Sequence, residues 1–213
     1  MARRTKEEAL ETRNKLLDAA EILFQSQGVS QTSLQQIAQQ AGATRGAIYW
    51  HFKDKADLFN AMMERVTLPL EAAVQRAAGR EGADPMEEVE RAMVEALRLM
   101  TTDPQARRVF EVATHKVEYT EEMKSVQQRH LNARNACVVD IEKAVLTASR
   151  RARLRLPVPA SVAAQGLHAL INGLIQNWLL DPEDFDLVTV GQRAFRVYVA
   201  GLGFSRTPKG PAG

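Results

Sequence analysis

Residues 28–58 read GVSQTSLQQIAQQAGATRGAIYWHFKDKADL, and this stretch decides the fold. Leu34, Ile37, Ala38 and Ala41 recur at the three- and four-residue spacing of one helical face. Thr32 offers a side-chain oxygen to the orphan amides ahead of them, and Gln35, three residues on, would complete a capping box. Gly42 ends this short helix. Thr44 can cap a third helix that runs through Gly46, Ile48 and Tyr49 to about Trp50 or Phe52, so only a tight turn separates the two. Asp54 caps a fourth, carrying Leu58, Ala61, Met62 and Val66. Upstream, Leu16, Leu17, Ala20, Leu23 and Phe24 share one face of a first helix that stops at Gly28, in the position a left-handed cap requires. Two short helices joined by a glycine-containing turn and packed on a preceding helix form a unit whose second helix can enter a DNA major groove.

On that second helix Ala47, Ile48 and Phe52 can face inward, which leaves Thr44, Arg45, Tyr49, Trp50 and His51 outside. Arg45 can fork onto a guanine edge, Thr44 can bond a base or a phosphate, and Gly46 lets the backbone come close. Tyr49, His51 and Lys55 carry donors suited to phosphate oxygens, and the amide end of the helix beginning at Asp54 adds its dipole. Arg3, Arg4 and Lys6 form a short basic arm that can reach a neighbouring groove. A plainer reading stands beside this one: Tyr49, Trp50 and Phe52 as a core cluster, with Arg45, Lys53 and Lys55 as a solvated face. Spacing alone leaves both open.

The rest of the chain repeats the helical period and almost lacks strand-like alternation, so the fold class is all-α with about nine helices. Pro69 falls inside the pattern of the fourth helix and predicts a kink or break near Val66. Residues 78–84, with Gly79 and Gly82, read as a loop. Asp84-Pro85 and Asp103-Pro104 are cap-plus-first-turn pairs that begin the fifth and sixth helices. Thr120 opens a seventh that reaches Arg151, about 45 Å long at 1.5 Å per residue. Pro157 and Pro159 precede the eighth, which stops at Asp181-Pro182, and Asp186 caps a ninth ending near Gly203. The expected organisation is a helix-turn-helix head over 1–60, a second helical domain over 61–204 and a disordered tail over 205–213.

Composition narrows the function classes. Of 213 residues, 45% are hydrophobic and 25% charged, too apolar for a disordered chain, and a net charge of +2 is too even to prescribe an anionic partner, so any basic patch is local. The single cysteine, Cys137, rules out an intramolecular disulfide framework and fits the cytoplasm. The polar opening residues do not read as a secretory signal, and Leu167 to Leu180, broken by His168, Asn172, Gln176 and Asn177, is too short to span a bilayer. No nucleophile elbow, phosphate loop, dinucleotide turn or metal-spaced His pair is present, so the reading is a non-enzymatic protein with no cofactor and no metal.

The head resembles the TetR/AcrR family of bacterial transcription repressors, whose motif runs approximately Thr-x-Gly-x-apolar-Tyr-x-His-Phe-x-x-Lys-x-x-Leu. Here the matching residues are Thr44, Gly46, Ile48, Tyr49, His51, Phe52, Lys55 and Leu58, and the match continues back through Gly28, Thr32, Ile37, Ala38, Ala41 and Gly42. The resemblance implies DNA contacts at Thr44, Arg45, Gly46, Tyr49, Trp50, His51 and Lys55, with Thr32 and Ser33 as phosphate contacts. Arg45 sits where the family varies. The opening Arg3 to Ala9 and the run Thr44 to Phe52 look like the branch that represses multidrug efflux pump operons. So do Thr114-His115-Lys116, Tyr119-Thr120, Met123, Asn172-Gly173-Leu174-Ile175 and Trp178.

Such repressors hold an apolar effector pocket in the second domain, and a hydrophobic ligand there favours a head spacing that cannot grip both operator half-sites. On the eighth helix Gln165, His168, Asn172 and Gln176 fall within about 80° of one another at 100° per residue, bordering apolar Ile171, Leu174, Ile175 and Trp178. That stripe can orient a ligand, or it can be solvated or face a partner copy. The resemblance adds Phe110, Thr114 and His115 on the sixth helix, and Cys137 and Ile141 on the seventh. It also implies a homodimer through the helices at about 160–180 and 187–203, with Leu187, Val190, Ala194, Val197, Tyr198 and Leu202 at suitable spacing, on a near-palindromic double-stranded DNA operator. A regulator on the same scaffold that senses a metabolite or acyl ligand, and a helical enzyme, are the alternatives.

Overall fold

The computed structural model describes residues 2–78 and 84–204, with the side chains of 6–68 and 84–204. Among them are nine α-helices, a 3-10 turn and no strand. The helices are α1 (Ala2–Gln27), α2 (Leu34–Gln40), α3 (Arg45–His51), α4 (Lys55–Ala78), α5 (Pro85–Thr102), α6 (Pro104–His115), α7 (Lys124–Arg151), α8 (Ala160–Leu180) and α9 (Leu187–Gly201), with the 3-10 turn at Glu121–Met123. The side chains of Arg3, Arg4 and Pro69 and the tail from Ser205 lie outside the described residues, as do Gly79 and Gly82. α4 passes position 69 as one helix, so the chain does not break near Val66.

The helix ends follow local chemistry. Gly28 has φ +85°, a left-handed conformation that a Cβ would strain, and Gly42 has φ +65°. Asp84, Asp103 and Asp186 each accept backbone amides at the start of α5, α6 and α9. Asp54 accepts from Asp57 N, while Asp57 in return accepts from Lys53 N, so α4 opens on a reciprocal cap. The capping box of α2 is one residue later than the sequence reading placed it. Ser33 is the cap, paired with Gln36, because the Thr32 hydroxyl is spent on the Gly28 carbonyl at 2.7 Å and on Gln27 Nε2 at 3.1 Å.

The chain divides into two compact units, Met1–Ala72 with Asp103–Asn132, and Ala73–Thr102 with Ala133–Gly213. The first is larger than the head of residues 1–60 because α6 packs on α1. Ala106, Val109 and Val112 turn inward from α6, Gln25 donates to Glu111 at 2.7 Å, and Val29 N donates to the Lys116 carbonyl at 3.0 Å. Its core joins Leu16, Leu17 and Phe24 of α1 to Ile37, Ile48, Phe52, Leu58, Phe59 and Met62, with the rings of Phe24 and Phe59 6.0 Å apart. Within it Glu21, 1% exposed, pairs with Arg65 of α4, accepts from Gln105 of α6 at 3.0 Å and lies 3.8 Å from Arg108. One carboxylate thus ties α1, α4 and α6.

In the second unit α9 packs on both α5 and α8. Leu97 and Met100 of α5, Ala163, Ala164 and Leu167 of α8, and Leu187, Phe195 and Val199 of α9 are buried. Two glycines set the approach distances. A Cβ on Gly191 would stand 2.3 Å from Leu97 Cδ1, and one on Gly166 would stand 2.2 Å from the Tyr198 hydroxyl. That hydroxyl donates to the Ala163 carbonyl at 3.0 Å, and Arg196 of α9 pairs with the largely buried Glu90 of α5 at 2.9 Å.

Candidate nucleic-acid interface

α3 is two turns long and amphipathic in the sense the sequence implied. Ile48 and the cap residue Phe52 are buried, while Tyr49 is 52% and Trp50 74% exposed. The core-cluster reading therefore holds for Phe52 and fails for the other two aromatics. Thr44 caps the helix by accepting from Ala47 N at 3.1 Å, which spends one lone pair of its exposed hydroxyl and leaves the O–H to donate. Arg45 is exposed, its guanidinium 5.9 Å from the Tyr49 ring, so the two side chains lie together on the outer face. A Cβ on Gly46 would meet only the Thr44 hydroxyl, at 3.9 Å, so the backbone here is open to close approach.

A groove of about 500 Å³ runs along this face, lined among others by Ser33, Arg45, Tyr49, Lys53, Lys55 and Glu122. It brings Thr32, Ser33, Arg45, Tyr49 and Lys55 together from the predicted set and adds Lys53, which the sequence reading gave only to the solvated face. Two predicted members are not presented as expected. Thr32 is 1% exposed, its hydroxyl is turned into the head and its backbone N–H already donates to the Val29 carbonyl at 3.3 Å, so each of its donors is engaged within the protein. Lys55 is 8% exposed, and its ammonium donates to the Thr32 carbonyl at 3.1 Å and faces the Glu122 carboxylate at 3.4 Å. No short-range pattern foretells that pairing, since Glu122 lies beyond α6.

Trp50 and His51 border a second hollow of about 480 Å³ with Lys6, Leu10 and Arg13 of α1. The two rings meet edge to face, 4.5 Å apart. Burial, with the Arg13 charge adding, holds the His51 pKa below its ordinary 6.5, so the imidazole is neutral at neutral pH in the free protein. Arg13 also lies over the Phe52 ring at 5.3 Å. It is a second cation on this side that the sequence reading passed over, hidden in the polar face of α1.

The predicted effector residues divide between the units. Phe110 and Thr114 are half-buried on α6 and His115 is exposed at its end, all in the first unit. Cys137, Ile141, His168, Ile171, Asn172 and Gln176 belong to the second. There His168, Ile171 and Ile141 are half-buried, while Asn172, Gln176 and Cys137 are exposed in the single chain. Local desolvation, with Asp140 adding, raises the Cys137 thiol pKa and keeps it protonated. Of the residues assigned to a dimer face, Leu187 and Leu202 are buried within the protomer, whereas Val197 is 75% exposed. Among the described residues no helix is long and apolar enough to cross a membrane, and no His, Cys, Asp and Glu cluster could hold a metal ion.

Comparison with known proteins agrees with this geometry. Residues 16–62 match the bacterial regulatory proteins of the tetR family, and residues 84–202 match the C-terminal region of MAATS-type transcriptional repressors. The chain is 37% identical over 188 residues to the HTH-type transcriptional regulator TtgR of Pseudomonas putida, covering 88% of this chain and 90% of that one. It is similar to the crystal structure of NalD, the secondary repressor of the MexAB-OprM multidrug efflux pump in Pseudomonas aeruginosa, with a TM-score of 0.83 and 38% identity over 91% of this chain and 98% of NalD. It is also similar to SmeT of Stenotrophomonas maltophilia, solved in complex with triclosan, with a TM-score of 0.75 and 29% identity over 95% of this chain and 99% of that one. A helix-turn-helix head with its outer face bare, joined to a repressor-type C-terminal region along nearly the whole length of such relatives, places this chain in the TetR family of bacterial transcriptional regulators.

Proposed function

We propose that this protein is a repressor that binds a near-palindromic operator as a homodimer, is released by a hydrophobic effector, and controls a multidrug efflux operon in the cytoplasm. The observation that carries the reading is the outer face of α3. Arg45, Tyr49 and Trp50 stand exposed on a helix whose opposite side, through Ile48, is locked into the core. Large aromatics left bare beside an arginine on a seven-residue helix suit a major groove, where Arg45 reads a base and Tyr49 and Trp50 pack on sugar and methyl groups. Thr44 and Ser33 supply hydroxyls, Gly46 gives close approach, and His51 with Lys55 supplies donors at the edges.

The dimer forms through the outer faces of α8 and α9, where Val162, Leu180 and Val197 are exposed in the single chain. Leu187 and Leu202 stay inside the protomer. The effector site draws on Cys137, Ile141, His168, Ile171, Asn172 and Gln176 of the second unit. Triclosan, which SmeT binds, is an apolar aromatic, and a site of this composition suits the same class. The test is fluorescence anisotropy on duplexes tiled across the protein's own upstream region, at two salt concentrations, with and without apolar drugs. Specific binding to a near-palindrome that drugs release supports the whole reading. Specific binding that drugs leave intact moves the effector to a metabolite class, and salt-sensitive nonspecific binding alone refutes the operator.

A further inference from the structure

Lys55 opens α4 beneath the groove, yet its cation is already engaged. Its Nζ donates to the Thr32 carbonyl at 3.1 Å and lies 3.4 Å from Glu122 Oε2, with the lysine side chain 10% and the glutamate side chain 56% exposed. Glu122 lines the same groove as Ser33, Arg45 and Tyr49. A DNA phosphate arriving there meets a like charge in the middle of its basic edge, and it competes with that charge for one ammonium. The backbone beside Glu122 is anchored. The next residue, Met123, is buried, and the Lys116 carbonyl earlier in the same connection accepts from Val29 N at 3.0 Å. The connection leads directly from α6, which carries Phe110, Thr114 and His115.

Building on the operator-binding reading of the head, we propose that Glu122 is a positioning residue for the DNA contact. Its carboxylate holds the Lys55 ammonium back from the operator phosphate. When Glu122 lets go, each half-site gains one phosphate-neutralising cation. When it holds, the operator loses that cation and faces an anion. The binding chemistry of the head is thereby tied to the element that follows α6, through a charge and without any change in α3.

The experiment is operator anisotropy across a salt series for wild type, Glu122→Gln, Glu122→Asp, Lys55→Met and the Glu122→Gln/Lys55→Met double variant. Glu122→Gln is expected to tighten binding about 1.5- to 5-fold per half-site at low salt. It should also steepen the salt dependence by about one unit of slope per half-site. Both changes should disappear with Lys55→Met, and Glu122→Asp, which keeps the charge, should retain the wild-type slope. Equal tightening with and without Lys55 would overturn the proposal, since Glu122 would then act by plain repulsion. Weaker binding by Glu122→Gln would overturn it too, because the carboxylate would be aiming Lys55 at the DNA. In either case wild-type specific binding still stands, whereas a wild type that binds no duplex specifically removes the operator reading and this proposal together.

Discussion

Replacing Glu21 by alanine removes a buried anion that α1, α4 and α6 share. Breaking a buried pair by deleting one partner costs about 3–5 kcal/mol, because the remaining cation stays desolvated. Arg65 keeps Asp18 at 2.8 Å, and the Arg65 and Arg108 side chains are 22% and 34% exposed, so part of that cost is recovered from water. The Glu21→Ala loss is therefore about 2–3 kcal/mol, which at roughly 2–4 °C per kcal/mol for a chain of this size lowers Tm by about 4–12 °C. Glu21→Gln keeps the shape and a carbonyl acceptor but not the charge, and falls between. Thermal unfolding followed by circular dichroism measures both, with Glu11→Ala as a control, since Glu11 pairs with Lys15 only at the surface. A Glu21→Ala transition within about 1 °C of wild type, the range of an ordinary surface substitution, would refute the tie between these helices.

Gly191→Ala drives a methyl to 2.3 Å from Leu97 Cδ1 and should cost about 1–3 kcal/mol of stability, read as a lower Tm; because Leu97→Ala removes the clash, the Tm loss of the double variant should be smaller than the sum of the two single losses. Arg45→Ala should weaken operator binding by about 1–3 kcal/mol and relax discrimination at one base pair, measured by anisotropy on single-site operator variants; a uniform loss across variants would make it a phosphate contact. His51 has a folded pKa below its ordinary 6.5, so between the two values the unfolded chain binds a proton the folded one refuses. Stability should then fall as pH drops through that window, and His51→Gln should flatten this part of the Tm-versus-pH curve.

Much of the site was legible because its signals are local. Thr44, Gly46, Ile48, Tyr49 and Phe52 sit within one short helix and its caps, where a period of 3.6 residues separates the buried Ile48 from the exposed Tyr49 and Trp50. Where the reading slipped, a competing partner decided. Thr32 and Ser33 are both good caps by residue type. Only the left-handed turn at Gly28, which presents a carbonyl 2.7 Å from the Thr32 hydroxyl, assigns the cap to Ser33. The effector residues were named by likeness and by a polar stripe on α8, and a stripe carries no information on which neighbour covers it.

The sequence by itself determined the helices, most of their limits and the outer face of α3. Asp-Pro pairs, cap residues and glycines at positive φ act within a few residues, and their free energies do not wait for distant contacts. Tertiary structure decided what is joined to what. It placed α6 with the head rather than with the second unit, turned Glu21 from one more charge on α1 into a buried link, and brought Glu122 to Lys55. Those choices rest on desolvation and on pairing between residues far apart in the chain, where a carboxylate's worth depends on the cation that packing brings within a few ångströms and on how much water packing removes.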